Sequence, residues 1–123
     1  MISDAPTTST ISQTAREFVQ ALLPAGHEVE LVFFYHGGAS IGLKTTHWPS
    51  DELNEASLWL KLAASHGFRL MVCSAAGQRR GVVHHPDQKD SSLVEGFEIG
   101  GLPQWLLAAG QSDRHLEFGA GRG

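Results

Sequence analysis

The sequence predicts an α/β domain built on a mainly parallel sheet. Two short, almost continuous apolar runs carry that expectation: residues 29–35 (VELVFFY) and 68–73 (FRLMVC). Each lies between glycine or polar turns, the pattern of a strand covered on both faces. Stretches with helical periodicity alternate with them over short links, the third observation.

The elements follow in chain order. Residues 7–12 form a polar, hydroxyl-rich loop. From Ser12 the apolar spacing becomes helical, with Ala15, Phe18, Val19, Leu22 and Leu23 on one stripe. Ser12 is the expected N-cap, and Pro24 with Gly26 ends the helix. The first strand spans 29–35, and His36-Gly37-Gly38 turns the chain. A second helix is expected from Asp51, with Leu53, Ala56, Leu60, Ala63 and Ala64 inward and His66-Gly67 closing it. The second strand spans 68–73, and residues 74–80 suit a short helix before Gly81. Residues 84–92 read as loop, 102–109 as a helix with Gly110 behind it, and 114–118 as a final strand. The glycine-rich 119–123 reads as a disordered tail. A parallel domain of this kind normally opens with its own buried strand, yet only Met1 and Ile2 precede the polar loop. That strand is expected to be a stub, or the chain to start late relative to its ancestral form.

Composition narrows the function. At 123 residues the chain is long enough for one domain that needs neither disulfide nor metal to fold. Nine basic against thirteen acidic residues give a formal charge of −4, unlike the basic footprint of a nucleic-acid-binding domain. The single cysteine excludes an internal disulfide and a four-cysteine zinc site, and fits a reducing cytoplasm. No apolar run approaches the roughly 20 residues of a membrane span, and residues 1–6 lack the segments of a signal peptide.

Ligands of open α/β sheets gather at the carboxyl ends of the strands. Three loops should meet there: 3–12, 35–41 and 73–81. Cys73 ends a strand and leads into a short helix, where unpaired N–H groups and the dipole favour thiolate. Arg79 and Arg80 follow about two helical turns later. One reading is a nucleophilic or sulfur-carrying cysteine; the other is a buried cysteine acting as a small hydrophobe. A Cys–His hydrolase also stays open, since such partners meet only in the fold. His36 lies at the presumed rim, as ligand or proton donor or as a plain loop residue. His84-His85, with Asp87 near, lacks a standard zinc spacing and reads as solvated loop. Thr7-Thr8-Ser9-Thr10 before a helix suits either a phosphate or simple capping, although the glycine usual in phosphate loops is missing. Trp59 reads as packing, while Trp48 and Trp105 are candidates for a contact surface.

Several segments together resemble the DsrE/TusD sulfur-relay proteins. They are Gly26-His27-Glu28-Val29, Val32-Phe33-Phe34-Tyr35-His36-Gly37-Gly38, Trp59 and Leu62 before His66-Gly67, and Val72-Cys73-Ser74-Ala75-Ala76 running into Arg79-Arg80-Gly81-Val82. Gly96-Phe97-Glu98-Ile99-Gly100-Gly101-Leu102 and Ser112-Asp113-Arg114 to Phe118-Gly119 look like the same family's closing segments. The resemblance covers residues 5–119. It implies a three-layer α/β/α single domain over 1–119 with a parallel central sheet and a truncated first strand, followed by a flexible tail at 120–123. It implies a sulfurtransferase in which Cys73 receives sulfane sulfur as a persulfide and passes it on, in tRNA 2-thiouridine formation or sulfur oxidation. Related small subunits of a heteromeric complex, a donor protein and an acceptor protein are the implied partners, with a homo-oligomer when the chain is alone. No cofactor, metal, membrane or direct nucleic-acid contact is implied. The alternatives are a non-catalytic assembly subunit and a flavodoxin-like phosphate- or nucleotide-binding domain. Gly77-Gln78 departs from the family's more helix-favouring pair, and glycine in a helix costs about 1 kcal/mol relative to alanine, so a more mobile cysteine loop is expected.

Overall fold

The computed structural model describes residues 1–50, 53–85 and 91–119. Its elements run α1 (Ile11–Leu22), β1 (Leu31–Phe34), a 3₁₀ segment (His36–Gly42), α2 (Glu55–His66), β2 (Arg69–Cys73), α3 (Ser74–Gln78), β3 (Glu98–Gly100) and α4 (Leu102–Gln111). The three strands form a parallel sheet in the order β1-β2-β3, with Phe34 opposite Val72 and Cys73 opposite Gly100. The expected opening strand is indeed a stub. Ile2 alone makes parallel bridges, to Phe34 on one side and Phe118 on the other. Its N–H donates to the Phe33 carbonyl at 2.8 Å, and its own carbonyl accepts from the Tyr35 N–H at 2.9 Å. The expected final strand at 114–118 shrinks to the Phe118 bridge.

Handedness places the helices. A crossover between parallel strands is right-handed in nearly all proteins. The connections from Ile2 to β1, β1 to β2 and β2 to β3 all step the same way across the sheet, so α1, α2 and α3 share one face. The step from β3 back to Phe118 runs the opposite way and carries α4 to the other face. Side chains of Val32, Phe34, Leu70 and Val72 point to the three-helix face, where Phe34 meets Trp59 of α2 edge-on at 5.7 Å between centroids. Phe33, Met71 and Cys73 point to the α4 face.

The element pattern of the sequence holds, with corrections of register. Ser12 is not the N-cap of α1. It lies inside the helix, 1% exposed, and its Oγ accepts from Trp59 Nε1 at 3.0 Å. Ser9 Oγ instead accepts from the Ile11 N–H. The buried stripe is Ser12, Ala15, Arg16 and Val19, and Phe18 is 40% exposed, because α1 turns toward a polar partner on α2. That partner is Glu55, which pairs with both Nε and Nη2 of Arg16 at 2.9 and 3.0 Å, with both side chains buried. Hydrogen bonding to Glu55 raises the Arg16 pKa against the desolvation that lowers it. Helix α2 starts at Glu55 on an Asn54 cap, leaving Leu53 exposed; the start expected at Asp51 falls outside the described residues. Its end is as expected, with Gly67 at φ 74°. Gly110 lies within α4 rather than behind it. β3 was not expected: a three-residue strand offers too little alternation to register. The tail at 120–123 lies outside the described residues.

Two substitutions test this frame by urea unfolding. Arg16→Met strands a buried Glu55 carboxylate and should cost about 3–5 kcal/mol. A Cβ at Gly38 would sit 2.2 Å from the backbone oxygen of Ile2, so Gly38→Ala should cost at least about 1–3 kcal/mol by unhooking the stub.

Candidate functional site

The three rim loops do meet. The Gly38 N–H donates to the Ser3 carbonyl at 3.2 Å, and a Cβ on Gly37 would lie 3.2 Å from the Ala5 nitrogen. Cβ atoms on Gly42 and Gly77 would each press on Val72 and Val82, so the 3₁₀ segment and α3 approach the end of β2 as bare backbone. His36 takes φ 46°, a left-handed conformation uncommon outside glycine, and its ring lies 4.0 Å from that of Tyr35.

Cys73 occupies the predicted place. It ends β2 with φ −61° and ψ 126° and stands as the N-cap residue of α3, whose first N–H groups lack helical partners. It is buried, 3% exposed. Gly100 is its partner in β3 and contributes no side chain. A Cβ there would lie 2.3 Å from Met71 Sδ, so the Met71 thioether fills that space on the same sheet face. On the β1 side the register puts Tyr35 next to Cys73, one step beyond the Phe34–Val72 pair. Tyr35 stacks on Phe33 at 6.1 Å and 29°, which fixes its ring on the Cys73 face. On this face α4 packs against β1, and no residue of α4 is itself buried.

Arg79 is exposed, and Arg80 Nη1 donates to the Ala76 carbonyl at 3.0 Å at the end of α3. His84 is exposed, with Nδ1 3.4 Å from Ser91 Oγ. It lines a cavity of about 130 Å³ with Ser74, Gln78, Val82, Val83 and Ile99. Asp87 lies outside the described residues. Thr7 to Thr10 do line a groove, of about 890 Å³, shared with Trp48 and Leu53. Its charged lining residues are Asp4 and Glu55, the latter already paired with Arg16, so it offers a phosphate no cationic side chain. Trp59 is core, as expected, and Trp105 is half-buried with its ring edge-on to His115 at 5.5 Å. Sequence reasoning missed Tyr35, Met71 and Gly100 as neighbours of the thiol. Alternation along 68–73 already put Met71 on the Cys73 face; Tyr35 and Gly100 needed strand register, and β3 was not visible.

Similarity to known proteins is consistent along the chain. The DsrE/DsrF-like family matches residues 1–118. The DsrE protein of Allochromatium vinosum is 37% identical over 123 residues, covering 96% of this chain and 95% of that one. The sulfurtransferase TusD of Photorhabdus laumondii is 36% identical over 112 residues, covering 87% and 86%. Among solved structures, the ychN protein of E. coli superposes with a TM-score of 0.75 at 20% identity over 95% of each chain, a likeness of fold.

Burial of the sole cysteine has a direct consequence. Iodoacetamide should alkylate Cys73 in the native chain at least about tenfold more slowly than in the urea-unfolded chain, as followed by intact-protein mass spectrometry.

Proposed function

The chain belongs to the DsrE/DsrF-like family, and on that footing we propose that it relays sulfur as a persulfide held on Cys73. Its activity class is sulfurtransferase, the class named for its TusD relatives. The observation that carries the finer reading is the position of the one cysteine. Cys73 closes β2 at the carboxyl edge of the sheet, as the N-cap residue of α3.

The chemistry is thiol–persulfide exchange. Cys73 thiolate attacks the outer sulfur of a donor persulfide, R–S–SH. A new S–S bond forms at Sγ, the donor S–S bond breaks, and R–S⁻ leaves with the electron pair. The step is redox-neutral and needs no cofactor. An acceptor thiolate then takes the outer sulfur by the same displacement. With one cysteine in 123 residues there is no second thiol in the chain to discharge the cargo as hydrogen sulfide.

Both partners must reach the sulfur of a residue that is 3% exposed, so the reading requires an opening. Helix α4 begins two residues after Gly100, the partner of Cys73. Since α4 buries no residue of its own, displacing its first turn sacrifices little packing. The Met71 side chain is unbranched and can swing aside. Leu102, Leu106 and Leu107 of α4 are 38, 61 and 64% exposed, which supports an assembled form with related subunits, and the lone cysteine fits a relay in a reducing cytoplasm. The relay ends in tRNA thiolation or in sulfur oxidation.

Burial of Cys73 favours a second reading, a non-catalytic assembly subunit in which the thiol only packs. Sulfur loading separates the two. After incubation with cysteine persulfide, the wild-type chain should gain the mass of one sulfur atom. Cys73→Ser should gain nothing while keeping its circular dichroism spectrum. Equal loading of both would remove Cys73 from the mechanism, and no loading of the wild type would support the assembly role.

A further inference from the structure

A persulfide needs a hydrogen-bond donor for its outer sulfur, which carries the charge once it ionises. Three positions flank Cys73 on its own face: Met71 two residues before it, Gly100 across from it on β3 and, with the β1–β2 register extended one residue past Phe34–Val72, Tyr35 just beyond β1. Met71 is a thioether and Gly100 has no side chain. Tyr35 is therefore the one flanking position with a polar hydrogen on its side chain.

We propose that the Tyr35 hydroxyl is the donor that holds the outer sulfur of the Cys73 persulfide. The inference rests on the relay reading above and assigns a residue to it. Neighbouring parallel strands lie about 4.8 Å apart, so the Tyr35 and Cys73 backbones are adjacent. A tyrosine hydroxyl reaches further from its backbone than a cysteine sulfur does. A second sulfur lengthens the cysteine by about 2 Å and brings its end toward the height of that oxygen. The hydroxyl thus suits the loaded state rather than the resting thiol. Among the described residues it has no hydrogen-bond partner, although the ring is held firmly. Phe33 stacks against it at 6.1 Å, and His36 approaches it at 4.0 Å from a backbone held at φ 46°. A ring so fixed, with its hydroxyl unengaged and half-buried, loses little freedom in meeting the sulfur.

The step balances without a further reactant. Loading leaves Cys73–S–SH and R–S⁻; the proton on the outer sulfur goes to water, and the phenol O–H then donates to the sulfur anion while keeping its own proton.

Tyr35→Phe tests this, because it keeps the ring and both ring contacts and removes only the oxygen. The chain is loaded with cysteine persulfide, desalted and challenged with dithiothreitol, and the persulfide is followed by mass spectrometry. Tyr35→Phe should lose its persulfide about tenfold faster than wild type, the scale of one hydrogen bond to a charged group. Its native alkylation rate at Cys73 and its unfolding midpoint should match wild type, which a purely structural role of the hydroxyl would not allow. Equal persulfide lifetimes in the two chains would overturn the assignment. So would an accelerated loss accompanied by faster alkylation, since that reports a loosened cover. Failure of the relay reading looks different: Cys73→Ser loads as wild type does, or the wild type does not load at all.

Discussion

The handedness of the crossovers governs this molecule. Because every forward step across the sheet turns the same way, three helices accumulate on one face and the single backward step leaves α4 alone on the other. The two faces then differ in kind. The three-helix face holds Trp59, Phe34 and Val72, all at 0% exposure, with Phe97 packed edge-on to Phe34 at 5.8 Å. The α4 face is sealed by a helix that seals nothing of itself, its leucines facing outward. Cys73 stands on that second face because Val72, one residue earlier, stands on the first.

That placement reconciles a buried sulfur with a transfer role. A thiol closed off from water is protected from adventitious oxidants, whose attack follows thiolate exposure. It can be uncovered cheaply only where its cover is weakly held. Gly100 and Met71 fit the same logic. The glycine gives the space beside the thiol to a flexible thioether, where any other residue would set a fixed Cβ against it. On the opposite face the demand is rigidity, met by the Arg16–Glu55 pair and the Trp59–Ser12 hydrogen bond, which tie α1 to α2.

Much of this was legible in the chain. Continuous apolar runs announced β1 and β2, and glycines marked the end of α2 and the turn after α3. The lone cysteine at a strand end, with the motif around it, pointed to both family and site. The errors share a cause. Ser12 read as a helix cap and Arg16 carried no signal, yet both are core, because a polar residue belongs inside only once its partner, 47 or 39 residues away, is in place. Residues 102–109 read as a helix with no face assigned, and only the fold turns Trp105 and its alanines toward the core and its leucines out.

Local periodicity and turn chemistry are properties of neighbouring residues, so the sequence by itself determined the kind, order and rough extent of most elements, and that the reactive sulfur closes a strand. Met71 shares the Cys73 face by alternation along one strand, but the neighbours on other strands depend on register across 25 residues or more, so only the tertiary structure set Gly100 and Tyr35 around Cys73. The closing of the sheet edge by Ile2 belongs to the same class. A single residue has no periodicity to read, and its role exists only because Phe34 and Phe118 lie on either side of it.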